Sequence, residues 1–116
     1  MSYFKYSRQK LFIENTSVLN IIKKNKTPFY LYSAKQIKEN YINFAKTFKN
    51  VNPLICFAAK ANTNLAIMRM LGKLGSGADV VSGGELLKAL KAGIKPSKIV
   101  FSGVGKTEEE LKLAIK

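Results

Sequence analysis

Residues 54–62 read LICFAAKAN, and six uncharged residues, Leu54 to Ala59, run straight into Lys60. Asn50, Asn52 and Pro53 stand just before this stretch, so it starts after a turn signal and reads as a strand over 54–60. On a strand, alternate side chains share a face. Lys60 would then share one with Ala58 and Cys56, while Ile55, Phe57 and Ala59 take the other. Small neighbours would leave room beside the ammonium for something flat and bulky. The lysine also falls at the carboxyl end of its strand, where α/β folds gather their active sites. Enclosure there disfavours the charged form of an amine, and a neutral amine can attack a carbonyl to form a Schiff base. The plainer alternative is that Lys60 merely ends the strand and reaches solvent.

Working outward, short apolar runs alternate with helical patterns. PFYLY (28–32) is a β-rich run. Ser33 and Gln36 have capping-box spacing, and Ile37, Tyr41, Phe44, Ala45 and Phe48 follow at helical intervals. After the 54–60 strand, Ile67, Met70, Leu71 and Leu74 mark a helix that Gly75 is suited to stop. ADVVS (78–82) reads as a strand, and Ser82 with Glu85 as a second capping box before Leu86, Ala89 and Leu90. KIVFS (98–102) reads as a strand, and Thr107 with Glu110 as a third box before Leu111, Ala114 and Ile115. The expected strand ends, Lys60, Ser82 and Ser102, are 22 and 20 residues apart. The leucine-rich signature that such a period could suggest is absent. Alternating strands and helices predict a parallel sheet, open or closed into a barrel.

The totals set bounds. The chain has 116 residues, 47% of them hydrophobic, which suits one small globular domain rather than a disordered segment. A complete (β/α)8 barrel needs about 250 residues, so the chain is expected to be the front part of a larger protein. The start, MSYFKYSRQK, has no apolar secretory segment and Cys56 is the single cysteine, both pointing to the cytoplasm. There is no histidine, which excludes Ser-His-Asp and Cys-His catalysis within these residues. The net charge of +13 raises the question of nucleic acid. Only Arg8 and Arg69 are arginines, however, and the lysines are spread along the chain apart from KKNK at 23–26. Arginine is the better phosphate and base reader, so no nucleic-acid partner is expected. SGVGKT (102–107) sits where a phosphate-binding loop would, but that loop needs glycine at position 100, which holds Val100.

FAAKAN (57–62) resembles the cofactor-lysine motif of the barrel-type pyridoxal-phosphate decarboxylases and racemases. TPFYLYS (27–33) resembles that family's entry segment, GADVVSGGEL (77–86) its second strand and helix start, and GKTEEEL (105–111) a stretch shared by many members. FKYSRQKLFIEN (4–15) is similar to the family's amino-terminal arm. The five stretches occur in order and cover nearly the whole chain. Within the family the chain is most similar to the diaminopimelate decarboxylase branch. Alanine racemases normally carry a Tyr-Gly pair soon after the lysine motif, where this chain has Thr63 and Asn64. Ornithine-type decarboxylases typically have cysteine where Ala61 stands.

The resemblance implies a first portion of a (β/α)8 barrel over 28–116, an arm over 1–27, and a carboxyl-terminal β domain in the whole protein. It implies that Lys60 bonds to pyridoxal 5'-phosphate and that Asp79 contacts the same cofactor. No metal is expected. The implied reaction converts meso-2,6-diaminopimelate to L-lysine, the last step of lysine biosynthesis, in a cytoplasmic homodimer. The family's ring-stacking histidine, glycine-rich phosphate loop, substrate arginines and partner-subunit cysteine are expected further on, so these residues alone are expected to be inactive. Two alternatives stay open: another barrel-type decarboxylase of the ornithine, arginine or carboxynorspermidine class, and a lysine-rich nucleic-acid-binding module.

Overall fold

The computed structural model describes residues 3–116, and Met1 and Ser2, the start of the expected arm, lie outside the described residues. Contacts divide the chain into two compact units, one ending at Asn40 and the other spanning Tyr41–Lys116.

In the first unit, β1 (Phe4–Ser7) and β2 (Lys10–Ile13) form an antiparallel hairpin, and β3 (Thr16–Ser17) pairs with β2. Arg8 and Gln9, between β1 and β2, both have positive φ, 48° and 61°. Two such residues match the twist of the flanking strands. Sequence reading sees only an arm here, because neither turn position holds the Gly, Asn or Asp that usually announces this turn. A short helix, α1 (Val18–Ile22), follows. Ser33 caps the next helix, its hydroxyl oxygen accepting from the Gln36 N–H at 3.0 Å. The carboxylate that completes this cap is Glu14, which accepts from the Ser33 hydroxyl at 2.7 Å and the Lys35 N–H at 2.9 Å. Those two bonds, Ser33 first, hold the Glu14 carboxyl below its ordinary range. The run PFYLY alternates exposed and half-buried residues but pairs with no strand among the described residues. Its period of two is a local property, whereas a ladder needs a neighbour.

The helix α2 (Ala34–Thr47) begins in the first unit and ends in the second. None of its expected apolar residues is fully buried, and Phe44 is 54% exposed. Phe44 and Phe48 pack edge to face, ring centres 5.1 Å apart.

The second unit is built on a parallel sheet of β4 (Cys56–Ala58), β5 (Gly77–Val80) and β6 (Ile99–Phe101), side by side in chain order. Strands 54–60, 78–82 and 98–102 were expected to lie parallel and adjacent, and their cores do. The helices α3 (Leu65–Lys73) and α4 (Gly83–Lys91) link them, and α5 (Glu108–Ile115) follows β6. One sheet face explains why the unit folds. Phe57, Ala78, Val80, Ile99 and Phe101 alternate onto it and pack with Met68, Leu86, Ala89 and Ile94 into one apolar cluster. Met68 and Val80 are wholly buried, each contributing about 1.5–3 kcal/mol relative to exposure. The helical spacing through Ile67 and Met70 missed Met68 as the deepest residue of α3. Helix ends follow local chemistry: Asn64 caps α3 by accepting from the Ala66 N–H at 2.9 Å, and Gly75 takes φ +100° just beyond it.

The strand expected over 54–60 is shorter than its sequence suggests. It ends at Ala58, and Ala59–Ala61 form a 3-10 turn closed by the Asn62 N–H donating to the Ala59 carbonyl at 3.1 Å. Ala59 is fully buried, so the turn is drawn inward at Ala59. Lys60 lies beyond the last strand residue, so strand alternation no longer fixes its side relative to Cys56 and Ala58.

Candidate active site

Toward the carboxyl ends of the three strands, the turn after β4 carries Lys60, the penultimate position of β5 carries Asp79, and Ser102 lies one residue past β6. Lys60 is exposed, not enclosed as the run before it suggested. No hydrogen bond or ion pair engages its ammonium among the described residues. The turn beneath it is firm: besides the Ala59–Asn62 closure, the Asn62 side chain accepts from the Asn64 N–H at 3.0 Å. The Lys88 ammonium donates to the Thr63 hydroxyl at 3.0 Å, tying the same loop to α4.

The sheet face opposite the apolar cluster carries Cys56, Ala58 and Asp79. In register, Cys56 pairs with Gly77, Ala58 with Asp79, and Asp79 with Val100. Small residues thus dominate this face, as the sequence suggested for Cys56 and Ala58. Asp79 is half-buried and accepts a hydrogen bond from the Ser102 hydroxyl at 2.5 Å. Burial, and secondarily the Asp79 charge, push the Cys56 thiol above its usual pKa. A raised pKa favours the neutral thiol, the poorer nucleophile. Sequence reasoning missed Ser102 as a site residue; its only signal was its place at the end of the KIVFS run. A cleft of about 360 Å³ lies at the opposite, amino-terminal ends of the strands, lined by Tyr41, Leu54, Gly75 and Lys98 among others. Chemistry in parallel α/β sheets gathers at the carboxyl ends, so the open face beside Lys60 outweighs that cleft.

The family model described as pyridoxal-dependent decarboxylase, pyridoxal binding domain, matches residues 34–116. The chain belongs to this family. It is similar to the diaminopimelate decarboxylase of Helicobacter pylori, 58% identical over 91 residues, or 78% of this chain and 22% of the relative. The Aquifex aeolicus diaminopimelate decarboxylase is 49% identical over 113 residues, covering 97% of this chain and 26% of the relative. A crystal structure of diaminopimelate decarboxylase from M. jannaschii in co-complex with L-lysine superposes with a TM-score of 0.91 at 41% identity, over 97% of this chain and 27% of that one. The chain thus spans about a quarter of the length of the relatives it matches. Its fold is α/β, the first strand–helix units of a barrel of this family.

The residues present fit pyridoxal phosphate. An aldehyde cofactor needs a primary amine free of other partners, and Lys60 has none among the described residues. A flat ring needs an uncrowded wall, and Cys56, Ala58 and Gly77 present little bulk.

Proposed function

We propose that Lys60 is the covalent anchor for pyridoxal phosphate and Asp79 a cofactor contact. We further propose that the whole protein decarboxylates meso-2,6-diaminopimelate to L-lysine. The observation that carries this reading is the lysine itself, exposed and unpartnered among the described residues on a firm turn at the carboxyl end of β4, within a chain of the pyridoxal-dependent decarboxylase family. Pyridoxal phosphate, when bound, supplies the electron sink that makes loss of an amino-acid carboxylate feasible. The chain's own residues supply the rest. Lys60 holds the group, the buried Ala59 fixes where that amine stands, and Cys56 and Ala58 leave space beside it. Asp79 offers a carboxylate across the sheet at a position set by its pairing with Ala58. Diaminopimelate as substrate is supported by the names of the relatives and by the lysine in the M. jannaschii structure. We also propose a division into an arm over 1–27 and a barrel portion over 28–116, and a cytoplasmic homodimer as the working form. Among the described residues no helix is long and apolar enough to cross a membrane.

Borohydride treatment of the whole protein tests the anchor. It is expected to fix the cofactor irreversibly on the peptide carrying Lys60, and Lys60→Ala is expected to abolish both the label and carbon dioxide release from diaminopimelate. Label on Lys73 or Lys106 instead would refute the assignment.

A further inference from the structure

Asp79 is a half-buried carboxylate with no cation paired to it among the described residues. The ion pairs among the described residues belong to Lys35 with Glu39 and to Lys112 with Glu108. The Asp79 carboxylate is thus free to meet a cationic or hydrogen-bonding group from outside these residues. Its hydrogen-bond partner among the described residues is the Ser102 hydroxyl. That hydroxyl has to be the donor, because an ionised carboxylate only accepts. Ser102 is itself fixed: its N–H donates to the Val80 carbonyl at 2.8 Å, carrying the ladder one residue past the end of β6. By strand alternation Ser102 falls on the face of Val100, the residue paired with Asp79. One oxygen of Asp79 is therefore tied to a strand end, and the second has no hydrogen-bond partner among the described residues. The terminal torsion of an aspartate is otherwise broad, so without this tie the carboxylate would sample several directions.

We infer that Ser102 is a positioning residue that aims the Asp79 carboxylate at the pyridoxal group and acts only through Asp79. The inference rests on the proposed role of Asp79 as a cofactor contact. It predicts a specific pattern of coupling rather than a simple loss.

The experiment uses the whole protein loaded with pyridoxal phosphate, and four variants: Ser102→Ala, Ser102→Thr, Asp79→Ala, and Ser102→Ala combined with Asp79→Ala. Cofactor dissociation constants and the absorbance spectrum of the bound cofactor are measured for each, with thermal unfolding to establish that each is folded. Ser102→Ala is expected to weaken cofactor retention about tenfold, as loss of one charge-assisted hydrogen bond would, and to shift the bound spectrum. Ser102→Thr, which keeps the hydroxyl, is expected to restore both. In the Asp79→Ala background, adding Ser102→Ala is expected to change nothing further, the signature of a residue acting through another. A tenfold loss that persists in that background would overturn the inference. So would an unaltered Ser102→Ala protein beside an impaired Asp79→Ala protein, which would leave the cofactor role of Asp79 standing. Undiminished cofactor binding by Asp79→Ala would remove that role and the inference with it.

Discussion

At Gly77 the sheet leaves no room for a side chain. A Cβ there would stand 2.3 Å from the Lys98 carbonyl oxygen and 2.8 Å from the Cys56 sulfur. The first of these is backbone leading into β6 and cannot rotate away, so β5 and β6 could keep their register only by moving apart. Gly77→Ala is expected to destabilise the whole protein by about 1–3 kcal/mol, the usual cost of overpacking. Gly105→Ala is the control, since nothing lies within 4 Å of a Cβ at that position, and it should fall within about 0.5 kcal/mol of the parent. Urea midpoints of the two variants check this, and equal midpoints would contradict it. The sequence shows Gly77 only as the first letter of a motif, because the clash comes from Cys56 and Lys98, far away in the chain. Lys60 is the opposite case. Its place at the carboxyl end of an apolar run was legible at once. Its turn was not, since Ala-Ala-Lys-Ala contains none of the residues that usually mark one.

Elements here are joined at their ends, and Glu110 shows how. Its Oε2 accepts from the Thr107 N–H at 3.1 Å while the Thr107 hydroxyl oxygen accepts from the Glu110 N–H at 3.2 Å, a complete capping box for α5. Its Oε1 accepts from the Gly83 N–H at 2.8 Å, the first turn of α4. One carboxylate thus satisfies donors at two helix starts, where negative charge is also favoured by the helix dipoles. The bond from Gly83, then that from Thr107, lower the Glu110 pKa from its ordinary 4.5. A lowered folded pKa means the stabilisation is present above the ordinary carboxylate range and is lost as pH falls through the folded value. Unfolding temperature of the parent is therefore expected to drop more steeply on acidification below pH 4.5 than that of Glu110→Ala, with the gap between them closing at low pH. A gap independent of pH would show that the carboxylate charge is not what joins the helices. The Ser82 cap and the complete capping box at Thr107 were readable because three-residue spacing is local. The tie from Glu110 to Gly83 crosses 27 residues, and only the folded packing of α5 against α4 reveals it. Likewise Glu85, spaced to complete a box with Ser82, accepts from the Val81 N–H instead, at 2.9 Å.

On the scale of the molecule, the sheet of the second unit is finished on one face and open on the other. Its helix side holds the apolar cluster of Val80, Met68 and their neighbours, which strand and helix periodicity largely foretold. The other face lacks such a cover: Val100 is 47% exposed and Leu54 48% exposed. In the same unit Phe44 and Phe48 on α2 and Val104 after β6 also stand open to solvent. The outer strands β4 and β6 each present an edge unpaired among the described residues, and such edges invite pairing with other chains. Apolar surface and strand edges of this kind are what a closed barrel covers, and the chain spans only about a quarter of its barrel relatives. The 116 residues expressed by themselves are therefore expected to bind a hydrophobic dye strongly and to associate as concentration rises. They should also release no carbon dioxide from diaminopimelate when pyridoxal phosphate is supplied. The dye signal should fall when Val100 and Val104 are both changed to threonine, because the open face and the loop beside it supply the apolar contact. Lys60 should still react with the cofactor, as any accessible amine would, but reversibly and without turnover, since Lys60, Asp79 and Ser102 give no grip on a phosphate group. Dye fluorescence, sedimentation and a carbon dioxide assay on the isolated chain decide the matter. A monodisperse monomer that ignores the dye and turns over substrate would mean that the face beside Lys60 is complete as it stands.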